Sequence, residues 1–175
     1  MTSTGYAMLL GAAVAAGLDP NLAPKPAAAQ TITQKAERDE LAIVAKSDPA
    51  MAAAMSKARK TLPDFLSVAA APKPGMEGFA VKVAIREGDQ AEYFWITPFT
   101  DKDDEYSGAI NNTPRLVRSV KLGQTITFHQ PDIVDWMYMD GNTMKGNYTA
   151  CALLKSASKQ EQDEFKKRFG LNCDF

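Results

Sequence analysis

The chain has 175 residues, with twenty Lys or Arg against twenty-one Asp or Glu, 45% hydrophobic and 23% charged residues, and a formal charge of -1. That suits one ordinary domain, and so even a charge balance gives no field to draw the protein onto nucleic acid or an anionic membrane. Two cysteines, Cys151 and Cys173, lack the C-x-x-C spacing and the histidine partners of a zinc site, which leaves two buried thiols or one disulfide.

From Ala7 to Leu18 the stretch AMLLGAAVAAGL carries no charge and falls short of the ~20 apolar residues needed to cross a bilayer. Its length fits the apolar region of a secretory signal, and Ala27, Ala28 and Ala29 form an A-x-A cleavage pattern before Gln30. Residues 1–29 are therefore read as a signal peptide and residues 30–47 as an N-terminal extension, with a single domain over 48–175. The expected location is periplasmic or secreted, with no stable membrane insertion after cleavage. No Lys or Arg precedes the apolar run, so the alternative is a cytoplasmic protein with a disordered Ala-rich N-terminus.

Ser47 and Asp48 before Pro49 form a helix start, a capping side chain followed by a proline whose missing N–H is not needed. Met51, Met55, Ala58 and Leu62 then make one apolar stripe, and Pro63 predicts a stop or kink. Beyond a loop marked by Pro72, Pro74, Gly75 and Gly78, the period changes from helical to alternating. Phe79, Val81, Val83 and Ile85 alternate with Ala80, Lys82, Ala84 and Arg86, and AEYFWI resumes after Gly88 and Asp89, which together read as a hairpin. TDKDDEYSG reads as a solvated acidic loop, GAINNTPRLV as a short strand, and the segment from Leu122 to Leu154 as up to three more strands broken at Pro131 and at Asp140-Gly141. Ser158 and Glu161 are spaced as a capping box, Phe165 and Phe169 lie on one face, and Gly170 is placed for a left-handed cap. The expected fold is α+β: an N-terminal helix, a curved and mostly antiparallel sheet of five or six strands, and a C-terminal helix.

The stretch from His129 to Ala150 gathers the chain's one histidine with three aspartates, a tryptophan and two tyrosines. His129, Asp132 and Asp135 would share a face of a helix, but they flank Pro131 in a region that reads as strand, and a metal site needs three or more convergent ligands. The plainer reading has Asp132 and Asp135 accepting hydrogen bonds from turn amides, His129 on the solvent side of its strand, and Trp136 and Tyr138 on a core face. Asn111 and Asn112 before Thr113 and Pro114 are either exposed binding amides or turn residues. The sequence has no G-x-S-x-G, Walker, G-x-G-x-x-G or H-E-x-x-H motif, so no cofactor is expected.

ARKTLPDF, EYFWI, YSGAINNTP, LGQTITFHQPDIVDWMY and GNYTACALL together resemble the bacterial family known as domain of unknown function 2314, or YegJ-like. The more specific part is G-x-I-x-N-x-P at Gly108 to Pro114 joined with I-x-D-W-x-Y at Ile133 to Tyr138. The resemblance implies a single domain and an exported protein, and it contributes no catalytic residue. Within it, a Cys151–Cys173 disulfide is expected, tying the C-terminal helix to the last strand and constraining the unfolded chain by roughly 3 kcal/mol.

Two functions are weighed. The first is a non-catalytic binding domain of the bacterial envelope, recognising a protein or small ligand through the loops around Asp101 to Asn112 and His129 to Asn142, with Asn111, Asn112, His129, Asp132, Asp135, Trp136 and Tyr138 as the candidate binding residues. The second is a small hydrolase or metal-dependent enzyme using His129 with Asp132 or Asp135.

Overall fold

A computed structural model describes residues 48–102 and 105–173, so the expected signal peptide and N-terminal extension lie outside the described residues. Among the described residues the order is helix α1 (Pro49–Ala70), strands β1 (Met76–Glu87), β2 (Gln90–Lys102), β3 (Glu105–Ile110) and β4 (Thr125–His129), a 3-10 turn (Gln130–Asp132), strands β5 (Ile133–Asp140) and β6 (Thr143–Gly146), then helices α2 (Tyr148–Leu154) and α3 (Lys159–Phe169). The strands form one antiparallel sheet in the order β4-β3-β2-β1-β5-β6. The architecture is α+β, with helix first, strands next and helices at the C-terminal end.

The link from β4 to β5 fixes the shape of that sheet. β4 and β5 stand four positions apart in the strand order, about 19 Å in a flat sheet at a spacing of about 4.8 Å. The chain from His129 to Ile133 can span only about 14 Å, even fully extended. The sheet must curl until its β4 end returns beside β5. β2 makes this possible, because its first half pairs with β1 from Gln90 to Ile96 and its second half pairs with β3 from Ile96 to Lys102.

Helix α1 packs on the inner side of the curl. Ala58, Leu62 and Phe65 join Val81, Val83, Phe94, Ile96, Tyr106, Ile110, Phe128, Ile133 and Trp136 in one buried cluster drawn from α1 and all of β1 to β5. Burial of each large apolar side chain contributes about 1.5–3 kcal/mol, and the stacked ring pairs add to that. Phe65 lies 4.9 Å from Trp136 between ring centroids, and the Trp136 indole N–H donates to the Ala58 carbonyl at 3.0 Å. Asp48 caps α1 by accepting from the Ala50 N–H at 2.8 Å, as its place before Pro49 requires.

Three expectations need correction. Pro63 does not end α1, which continues to Ala70 because Leu62 and Phe65, on either side of the proline, are both anchored in the core. The acidic segment is not all loop: β2 runs to Lys102 and β3 begins at Glu105, so Asp101 and Glu105 stand in the ends of paired strands. The apolar run at Thr149 to Leu154 is helix, so the chain closes with two helices instead of one. A second, smaller core of Ala150, Leu154, Phe165 and Leu171 holds α2 and α3 together. α3 carries the expected capping box at Ser158 and Glu161, and Gly170 ends it at φ 71°.

Candidate functional site

The residues singled out in the sequence fall into two groups. Asn112, Asp135 and Trp136 are buried, and the polar groups of each are taken up by the protein itself. β3 leaves the sheet at Ile110, exposing backbone groups of β2, and Asn112 replaces the lost strand: its side-chain carbonyl accepts from the Trp95 N–H at 2.8 Å and its amide donates to the Tyr93 carbonyl. Asn111, beside it, is exposed. Buried Glu92 secures the same loop by accepting from the backbone N–H groups of Arg115, Leu116 and Val117 at 2.9–3.0 Å. His129 and Asp132 are exposed, and Asp132 accepts from the His129 backbone N–H at 3.0 Å. Tyr138 is half-buried against Phe79, with ring centroids 5.0 Å apart. These seven residues therefore do not make one surface, and among the described residues no group of three or more His, Cys, Asp or Glu is placed to hold a metal ion.

Asp135 belongs to a buried network centred on α2. β6 ends at Gly146, and Asn147, at φ 53°, turns the chain so that the first turn of α2 points its N–H groups at β5. The Asp135 carboxylate accepts from the N–H groups of Trp136, Tyr148 and Thr149 and from the Thr149 hydroxyl, the last at 2.6 Å. Lys82 is paired directly across from Asp135 on β1, and its Nζ donates to Thr149 Oγ1 at 2.7 Å while lying 4.5 Å from the Trp95 ring centroid. Burial pushes the Lys82 pKa down and that of Asp135 up, and the opposite charge of each partner works against both shifts. Both residues are buried, so the network positions α2.

What that positioning builds is a cleft. α2, the first turns of α1, β6 and the segment after α3 enclose about 470 Å³. Its floor is small and apolar: Ala50, Ala53 and Ala54 form one stripe on α1, facing Ala152, Met144 and Gly146. Gly146 has φ 77°, and a Cβ there would come within 2.2 Å of the Trp136 carbonyl oxygen, so β6 lies close over β5 only because this residue is glycine. Lys57, Lys145 and Lys155 are exposed around the cleft, with Lys57 Nζ 5.0 Å from the Tyr148 ring centroid. Among the described residues, none that lines the cleft is acidic and no carboxylate pairs with any of the three lysines.

Cys151 and Cys173 also line this cleft and form a disulfide, with a Cα–Cα distance of 5.4 Å. The expected pairing is present, but Cys151 stands on α2 and not on a strand. The bond ties α2 to the segment after α3, which also pairs with β6 through the Met144 N–H and the Gly170 carbonyl at 3.0 Å. Sequence reasoning passed over the cleft because alanines and lysines from four distant segments carry no local signature.

A curled antiparallel sheet wrapped on one helix, with two short helices closing its end, defines a small α+β domain with an internally satisfied polar network. Residues 48–173 match the family described as "Uncharacterized protein conserved in bacteria (DUF2314)", and the chain belongs to that family. It is 36% identical over 119 residues to "Uncharacterized protein YegJ" of Escherichia coli (strain K12), covering 68% of this chain and 76% of that protein. It is also 24% identical over 86 residues to "Putative ankyrin repeat protein NMB1133/NMB1171" of Neisseria meningitidis serogroup B, over 49% of this chain and 34% of that protein. No solved structure matches. Among the described residues, no helix is long and apolar enough to cross a membrane.

Proposed function

We propose that this is a non-catalytic binding domain of the bacterial envelope that holds an anionic ligand with an apolar body in the cleft between α1, β6 and α2. The observation that carries this reading is three exposed lysines, none paired with a carboxylate among the described residues, around an alanine-floored cleft of about 470 Å³. That volume lies in the range of small-molecule sites, which combine apolar walls with a few polar groups that set orientation. Unpaired lysines on one rim repel each other, a cost that an anionic ligand removes. The disulfide and the signal-like stretch at Ala7 to Leu18 support an envelope location.

Calorimetric titration with octyl sulfate, and in parallel with octyl glucoside, tests the reading. These probes share the apolar chain and differ in charge. Replacing Lys57, Lys145 and Lys155 together with Gln is expected to weaken octyl sulfate binding by about 0.6–3 kcal/mol, at about 0.2–1 kcal/mol per exposed charge. Equal affinity for both probes, or octyl sulfate affinity unchanged in the triple variant, overturns the proposal.

A further inference from the structure

The disulfide is part of the wall that the anion would touch. Cys151 and Cys173 are half-buried residues lining the same cleft as Lys57, Lys145 and Lys155. Structural disulfides are commonly sealed inside a core, where no thiolate reaches them. Here the sulfurs line an open cleft whose charged lining, among the described residues, is Lys57, Lys145 and Lys155.

We infer that this bond is a thiol-exchange site selective for small anionic thiols, which the lysines gather and aim at it; the inference rests on the anion-binding reading of the cleft. Exchange needs a thiolate to approach along the sulfur–sulfur axis, and its rate rises with the thiolate concentration at the bond and with the stability of the departing thiolate. The cleft favours both. Its cations raise the local concentration of a thiol bearing a carboxylate, an effect that salt screens. The two sulfurs also differ as leaving groups. Cys151 sits on α2 with Lys155 four residues on, at the helix C-cap, and both line the cleft, so Lys155 is the cation placed one turn from the thiolate that Cys151 would become. Among the described residues Cys173 has no cation one turn away on its own segment, and that segment is kept against β6 by the Met144–Gly170 hydrogen bond and by buried Leu171.

The step balances without a further oxidant or reductant. The thiolate sulfur of the incoming thiol bonds to Cys173 Sγ, the Cys151–Cys173 bond breaks, and the electron pair leaves on Cys151 Sγ as a thiolate. The product is a mixed disulfide at Cys173 with its anionic group among the lysines. Attack by the Cys151 thiolate on Cys173 Sγ returns the thiol and restores the original bond.

The experiment uses the oxidised full chain and three thiols of similar size: 3-mercaptopropionate, 2-mercaptoethanol and cysteamine. Exchange rates are expressed per thiolate and corrected for nucleophilicity. The expected order follows negative charge, with mercaptopropionate at least tenfold faster than cysteamine at low salt and the gap closing in 1 M NaCl. The triple Lys→Gln variant should lose the same gap, and since all three lysines are exposed its fold is checked directly by circular dichroism. Alkylation followed by peptide mass mapping should find the mixed disulfide on Cys173 and the alkyl label on Cys151. Rates blind to thiol charge, a gap that survives the triple variant, or an adduct on Cys151 overturns the inference. If octyl sulfate binding still depends on the lysines while exchange is blind to charge, only the exchange site is lost. Loss of both removes the anion-binding reading as well.

Discussion

Replacing Asp135 with Ala removes the acceptor on which the start of α2 is built. Its carboxylate takes hydrogen bonds from the N–H groups of Trp136 at 2.9 Å, Tyr148 at 3.2 Å and Thr149 at 2.8 Å, and from the Thr149 hydroxyl at 2.6 Å. A buried donor left without a partner costs about 1–3 kcal/mol, and water entering the space left by the carboxylate recovers part of that sum. The variant also leaves the buried Lys82 without its counter-charge, and loss of one member of such a pair costs about 3–5 kcal/mol. The two estimates overlap, because both count the same desolvated groups. We expect a loss of about 3–5 kcal/mol, a large part of a typical domain's total stability. Urea unfolding followed by the fluorescence of Trp95 and Trp136 measures it, under conditions that keep the disulfide intact. The double variant Lys82→Met, Asp135→Leu should recover a substantial part of the loss, since it removes both charges from the interior. A cost below about 1 kcal/mol for Asp135→Ala, with an unchanged denaturant slope, would falsify the view that this carboxylate anchors the helix.

Further outcomes follow from other contacts. Gly146→Ala should destabilise by several kcal/mol, on the order of 3, through its φ of 77° and a 2.2 Å approach to the Trp136 carbonyl; a melting temperature within a degree of the parent refutes this. Replacing both Cys151 and Cys173 with Ser should cost about 3 kcal/mol in urea unfolding, from the loop closed across a sequence separation of 22. The depressed pKa of Lys82 contributes stability that is fully present above its ordinary value of 10.5 and is lost as pH falls through its folded-state value. The parent should therefore gain stability relative to Lys82→Met as pH is raised from neutrality toward 10.5, and a constant difference across that window contradicts it. His129→Ala, at an exposed strand end, should change stability by less than about 0.5 kcal/mol.

The parts of the fold that could be read in advance are those fixed by short-range chemistry. Asp48 before Pro49, and Ser158 with Glu161 and Gly170, specify helix ends through contacts within a few residues, and each stands where its pattern requires. Alternation from Phe79 to Ile85 likewise marks β1, and Asp140-Gly141 marks the turn into β6. α2 was misread because nothing within its own residues declares it. Its apolar run suits a strand equally well, and the deciding acceptor, Asp135, lies on another element. The network was hidden for the same reason. Lys82 takes a regular polar place in the alternation of β1, and its burial and pairing with Asp135 depend on the β1–β5 register. Asn112 drew notice as an amide near a turn; its burial follows from β3 leaving β2, a tertiary event. The cleft is the extreme case, since its alanines, lysines and cysteines meet only when both ends of the domain are in place.

The return of β5 to β1 bears on how the protein emerges during synthesis. β1 to β4 form a simple meander, each strand meeting the one just made, so a nascent chain can lay them down in order. The strand carrying Trp136 is made after all of these and must travel back to the first, bringing to α1 the indole that seals it. Until residue 140 clears the ribosome, α1 and β1 lack the strand whose Ile133 and Trp136 complete their shared core. The stretch between His129 and Ile133 is therefore a clasp, and a chain arrested before it closes is the form most exposed to aggregation.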